Sequence, residues 1–221
     1  RDPLWSRGLG DVYKRQDVNV ILKEHQYYTI IGESGVGKST LLNILCGLLE
    51  PTEGSYMIEN ESIYLLSNKK RNDFRKLNIS YITQDVNVIN SMTVLENICM
   101  PTYVIKKHVD EKTVDNAIRY MKMLGIEEYA ETKPLFLSGG EVRRVEIARA
   151  LTTNTPYIIA DEPTSSLDKD NTEIVINALR HYKENGGTVI VSTHDYTFLK
   201  EADKVFSIKD TFVRESCIAL E

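Results

Sequence analysis

Along the chain, short apolar runs of strand length alternate with longer segments whose apolar positions recur at helical spacing, which predicts strands and helices in turn. Val18, Val20 and Leu22 alternate with polar neighbours, and Lys23 to Gln26 read as a turn. Tyr27-Tyr28-Thr29-Ile30-Ile31 follows, apolar enough for a buried strand. A glycine loop ends that strand, a helix is expected from about Lys38 to Leu48, and Pro51-Thr52-Glu53-Gly54 forms a turn before an alternating stretch around Ser55 to Ile58. Residues 79–83 predict another strand. From Val86 to Leu135 the pattern turns helical, with apolar positions 114, 117, 118, 121 and 124 on one face, and this stretch reads as a helical insert. Strand signals return at 157–160, 188–192 and 204–208, separated by helices over about 139–152 and 170–185. The fold class is therefore α/β, a mainly parallel sheet covered by helices on both faces, with no internal repeat.

Composition narrows the picture. At 221 residues there is room for one domain, or a core with an inserted subdomain, but not for two nucleotide-binding domains. A formal net charge of −5 leaves no general basic footprint, so no nucleic-acid partner is expected. No apolar run approaches the roughly 20 residues of a membrane helix, so any membrane crossing belongs to another chain. Cys46, Cys99 and Cys217 sit in apolar sequence without metal-ligand spacing and read as reduced core residues of a cytosolic protein. Residues 1–16 show neither strand alternation nor a helix face, and read as a non-native or disordered segment set apart from the fold.

Gly32-Glu33-Ser34-Gly35-Val36-Gly37-Lys38-Ser39 matches G-x-x-x-x-G-K-[ST], after a buried strand and before a helix. That context makes it a P-loop. Gly32, Ser34, Gly35 and Gly37 let backbone amides and the helix N-terminus face a triphosphate, Lys38 reaches the β- and γ-phosphates, Ser39 can ligate Mg²⁺, and Thr40 follows in the first turn. The expected cofactors are ATP and Mg²⁺. Residues 157–162 deliver Asp161 and Glu162 at the end of an apolar run, at the carboxyl edge of a parallel sheet. Asp161 is suited to hold Mg²⁺ and Glu162 to act as general base on water. Alone, such a pair more often begins a helix or loop; beside the P-loop the chemical reading prevails.

Leu137-Ser138-Gly139-Gly140-Glu141, with the helix from Val142 to Leu151, resembles the signature motif of ATP-binding cassette (ABC) ATPases. Chemically it is a second anion site, a Ser-Gly-Gly turn opening a helix, and Ser138 with Glu141 also fits a capping box, which explains neither glycine. The resemblance runs from about Asp17 to Ile208 and implies roles for further residues in family order. Gln84 corresponds to the Q-loop glutamine that touches Mg²⁺ and the lytic water, Ser165-Ser166-Leu167-Asp168 to the D-loop, and His194 to the switch histidine on the γ-phosphate. It also implies a P-loop NTPase core over 17–85 and 136–221, a helical subdomain over 86–135, and head-to-tail pairing with a second ATPase subunit, forming a homodimer. The signature turn of one subunit would then cover ATP on the other. Residues 47–54, Met92 to Ile98 and Pro101 resemble the lipoprotein-release and macrolide-export group. In that group the subunit is cytoplasmic, peripheral on the inner face of the cell membrane, and coupled near Gln84 to an integral-membrane permease.

Two departures stand out. Val142 occupies a position usually polar in the family, and the family's first strand and adenine-stacking aromatic fall upstream of Asp17, where Trp5 carries no weight. Two rival functions are weighed. A soluble ABC protein acting on nucleic acid or ribosomes would show a doubled cassette or a long heptad coiled coil, and the sequence has neither. A nucleotide-binding module without turnover is opposed by the presence of Lys38, Asp161, Glu162 and His194.

Overall fold

The computed structural model describes residues 20–58, 61–209 and 212–216. A six-stranded sheet carries the order β4 (Ile79–Ile82), β5 (Tyr157–Asp161), β6 (Thr188–Thr193), β1 (Tyr27–Ile31), β7 (Lys204–Lys209) and β8 (Phe212–Ser216). Neighbours from β4 to β7 pair in parallel, and β8 closes the edge antiparallel to β7. A separate two-stranded hairpin joins β2 (Met57–Ile58) to β3 (Glu61–Ser62).

Side chains alternate across a strand, so each buried strand feeds two cores. Tyr27, Ile158, Ala160, Val189 and Val191 meet the larger core, while Tyr28, Ile30, Ile159, Ile190 and Phe206 meet the smaller one with Leu41, Leu42 and Cys46. Leu41 and Leu42 belong to α1 (Lys38–Leu45). The larger core takes residues from α3 (Val94–Lys106), α4 (Glu111–Met123), α5 (Gly139–Thr152) and α6 (Lys169–Glu184). The helices over 139–152 and 170–185 thus form nearly as expected. On α4, Ala117 and Met121 are buried with Leu124 just beyond, and Val114 and Ile118 are half-buried at the stripe's margin.

Several expectations are corrected. Residues 20–22 form no strand; Val20 and Leu22 instead pack directly on the smaller core, and Val18 lies outside the described residues. Helix α1 stops at Leu45 because Gly47 turns left-handed, with φ +66°. The Ser55–Ile58 stretch yields only the two residues of β2, and Thr83 lies just past β4. Helix does not begin at Val86: the chain is irregular to Thr93, whose hydroxyl and the Glu96 carboxylate cap α3 reciprocally. A polar helix, α2 (Asn68–Asn78), and the strand β8 have no counterpart in the hydrophobic pattern. Cys46 and Cys99 are buried free thiols, as expected, and burial pushes both thiols up; Cys217 lies outside the described residues.

The irregular stretch before α3 is pinned by one side chain. Asn97 is fully buried; its amide accepts from the Ile89 N–H at 2.8 Å and donates to the carbonyls of Ile89, Met92 and Thr93 at 3.0, 3.3 and 2.9 Å. Asn97→Ala strands those backbone groups. It is expected to cost about 2–4 kcal/mol, read from urea denaturation midpoints.

Candidate active site

The sheet order places four loops side by side at its carboxyl edge. Going across β4, β5, β6 and β1, these carry Gln84, Asp161 with Glu162, His194, and Gly32. Parallel pairing aligns the strand ends, Ile82 with Ala160, Asp161 with Ser192, and Ile31 with Thr193. This is the crevice where open α/β sheets take their ligands.

The P-loop backbone depends on its glycines. Gly35 and Gly37 have φ of +75° and +97°, and a Cβ at Gly32 would meet the Val36 side chain at 2.9 Å and the Ile208 carbonyl at 3.0 Å. Lys38 runs back across the loop and donates from Nζ to the carbonyls of Gly32 at 2.8 Å and Glu33 at 3.2 Å. The same ammonium lies 3.4 Å from Glu162 Oε1, with only 8% and 11% of the two side chains exposed. Ser34 is exposed in the loop, and in the first turn of α1 Ser39 is exposed and Thr40 half-buried.

Glu162 is held from two sides. His194 Nδ1 lies 2.9 Å from Glu162 Oε2, and the His194 N–H donates to the same oxygen at 3.3 Å; the imidazole remains 71% exposed. Glu162 is left-handed at φ +47°, a conformation costing a non-glycine residue about 1–2 kcal/mol and held here by its amide bond to the Ser192 carbonyl at 2.9 Å. Asp161 is buried and accepts a hydrogen bond from the Ser192 hydroxyl. Ser192 was not among the expected site residues, although its position two before His194 places it at the same edge. Gln84 is exposed just beyond β4.

The signature turn lies at the start of α5. The Glu141 carboxylate accepts from the Ser138 amide and hydroxyl, both at 2.7 Å, and the Ser138 hydroxyl accepts from the Glu141 amide at 3.4 Å. These bonds hold the Glu141 carboxyl below its ordinary range. The two glycines separate here. A Cβ on Gly140 would meet Leu167 of the D-loop segment at 3.3 Å, whereas one on Gly139 would meet nothing within 4 Å. Intramolecular packing therefore accounts for Gly140 and leaves Gly139 facing open space. Leu137 is half-buried against the larger core. Ser166 is exposed, and Asp168 caps α6 through the Asn171 amide at 2.8 Å, with its carboxyl held low by that bond. Val142 is half-buried and the helix runs through it unbroken.

One residue the pattern hides is Arg143. Its guanidinium is 1% exposed, ion-paired to Glu146 at 2.6 Å, and bonded to backbone carbonyls on both sides of the site. The signal available was the helix itself, since charges at 143 and 146 fall among Val145, Ile147 and Ala148, where no polar face remains.

A glycine phosphate loop after β1 and a pair of carboxylates at the end of β5, with β6 between them in one parallel sheet, define a P-loop ATPase. The profile of the ABC transporter family matches residues 15–165, and the chain belongs to that family. It is 37% identical over 203 residues to an ABC transporter ATP-binding protein of Methanocaldococcus jannaschii, covering 90% of this chain and 86% of that one. It is 34% identical to the lipoprotein-releasing system ATP-binding protein LolD of Francisella tularensis, over 90% and 87% of the two chains. The macrolide export ATP-binding/permease protein MacB of Mannheimia succiniciproducens is 35% identical over 93% of this chain, which spans only 32% of that longer protein. Two solved dimers of the M. jannaschii cassette superpose with TM-scores of 0.83 and 0.82, each over 92% of this chain and 90% of that one; the second holds ADP and Pi.

Proposed function

We propose that this chain is the ATP-binding and hydrolysing subunit of an export-type transporter, which drives a separate membrane permease through ATP-dependent pairing of two copies. The observation that carries this reading is the open face of Gly139. The helix start of α5 that opens beside it can take an anion from outside the chain, and a triphosphate on a second copy's P-loop would supply one.

Within one site the P-loop cradles the phosphates, and Lys38 turns from the Gly32 and Glu33 carbonyls to the β- and γ-phosphates. Glu162 orients the attacking water and accepts its proton, while His194, already bonded to Glu162, reaches the γ-phosphate with its exposed ring edge. Asp161, Ser39 and Gln84 offer hard oxygen donors, which suit Mg²⁺. Among the described residues no group of three or more His, Cys, Asp or Glu could hold a metal ion by itself. When bound, the cation would neutralise phosphate charge. Ser166, Leu167 and Asp168 would line the D-loop at the same shared site.

Residues 86–135 would act as a helical subdomain that responds to the permease. The loop bearing Gln84 leads into α3, and Met92 just before that helix, with Leu95, Cys99, Met100 and Tyr103 on it, lines an apolar pocket suited to a permease coupling helix. No helix among the described residues is long and apolar enough to cross a membrane. Attachment to the inner face of the membrane would come through that partner.

A mixing experiment tests the shared site. Ser138→Arg blocks the signature turn and Lys38→Ala the P-loop, so each variant alone should hydrolyse ATP at background rate. Mixed together they form pairs with one intact composite site, and steady-state turnover should reappear. Absence of recovery, with both variants folded, would exclude a site built from two copies.

A further inference from the structure

We infer that the buried pair Arg143–Glu146 is a positioning clamp that sets the Gln84 loop against the Glu162 carboxylate and so governs the rate of hydrolysis. The inference rests on the proposed roles of Gln84 and Glu162. It adds two buried residues that stand behind the proposed site.

Arg143 is the fifth residue of α5, yet its guanidinium reaches two separate segments beyond its own helix. Nε donates to the Pro163 carbonyl at 2.8 Å, and Nη2 donates to the carbonyls of Glu162 at 3.2 Å and Asp161 at 3.5 Å. Nη1 donates to the Thr83 carbonyl, immediately before Gln84, at 2.6 Å. Glu146, which neutralises Nη1 at 2.6 Å, takes a hydrogen bond from the backbone amide of Asn87. The pair therefore grips the Gln84 loop at both ends, Thr83 through Arg143 and Asn87 through Glu146. Between these points the loop is knit by the Thr83 hydroxyl donating to the Asp85 carbonyl at 2.7 Å and the Asn87 amide donating to the same carbonyl at 3.0 Å. A third group, Arg149, approaches the other Glu146 oxygen at 3.6 Å, so that one carboxylate is shared by two guanidinium groups.

Stability alone does not call for such a device. Burying both charges carries a desolvation penalty, and apolar side chains of similar volume commonly replace buried ion pairs without loss of stability. What apolar residues cannot do is bond to the carbonyls of Thr83, Glu162 and Pro163 together. A planar guanidinium has donors pointing in several fixed directions, and lysine does not. Glu162 also sits in a strained left-handed conformation, so its aim depends on what its backbone is tied to.

The test separates stability from turnover. The double variant Arg143→Met/Glu146→Met removes both charges, and Arg143→Lys keeps a charge for Glu146 but loses the fork. Expected for the double variant are a cooperative unfolding transition, lowered by the carbonyls left unpaired, ATP affinity within about twofold, and kcat reduced by about 10-fold or more when measured well below that transition, as small misplacements of reacting groups allow. Arg143→Lys should likewise lose kcat while KM stays within about twofold. A double variant that turns over ATP at the parent's rate would overturn the inference, and so would losses of kcat, affinity and unfolding temperature that rise together in both variants. Glu162→Gln is measured alongside. If it retains turnover, the reading of Glu162 as base fails; if it loses turnover while the double variant keeps it, only the clamp fails.

Discussion

Glu162→Gln is expected to reduce steady ATP turnover by about 10²–10⁴-fold, the range that general-base removal commands, while nucleotide binding persists. The substitution is nearly isosteric, so Oε still accepts from the His194 amide and the left-handed backbone keeps its bond to Ser192. The carbonyl that remains cannot take a proton from water. The lost charge also leaves Lys38, now 3.4 Å from that carboxylate, free to favour phosphate instead. Both effects act in one direction: ATP should stay bound, and paired copies held by uncleaved ATP should accumulate. Size-exclusion chromatography with and without ATP, together with phosphate release, measures both. Wild-type turnover in this variant would remove Glu162 from the role of base.

Lys38→Ala should act at an earlier step. Its ammonium is the buried cation of the P-loop, and charge-assisted hydrogen bonds of this kind contribute about 1.5–3 kcal/mol each, so ATP affinity should fall by roughly 10- to 100-fold. The variant also leaves Glu162, whose side chain is only 11% exposed, without its cation. His194 then remains as its partner, through the ring nitrogen and the backbone N–H. ATP titration, with a separate unfolding curve to register the unpaired carboxylate, distinguishes loss of capture from loss of fold. Parent-like ATP affinity would exclude Lys38 from the phosphate cradle.

The contrast between these residues and the Arg143 clamp reflects what each kind of residue requires. Glycines at 35 and 37 are demanded by positive φ, Lys38 follows them at fixed spacing, and Asp161 and Glu162 fall at the end of an apolar strand. Each of these constraints is local, so the string of residue types carries it. Arg143 and Glu146 meet groups as far apart in sequence as Thr83 and Pro163, and nothing in the spacing of charged residues along a helix announces such partners. The same applies to Ser192, which reaches Asp161 only because β6 lies beside β5 in register. It applies also to β8, whose pairing with β7 supplies an edge that its own residues do not signal.

The amino-acid order by itself determined the class of fold, the P-loop, the carboxylate pair and the signature turn, because backbone conformation and short-range spacing depend on neighbours a few residues away. Only the tertiary structure decided which loops stand together at the sheet edge, that Gly140 is filled by Leu167 while Gly139 is left open, and that a buried arginine joins the Gln84 loop to Glu162. Those relations are set by strand order and by packing between distant segments, and sequence patterns of period two or 3.6 contain no record of them.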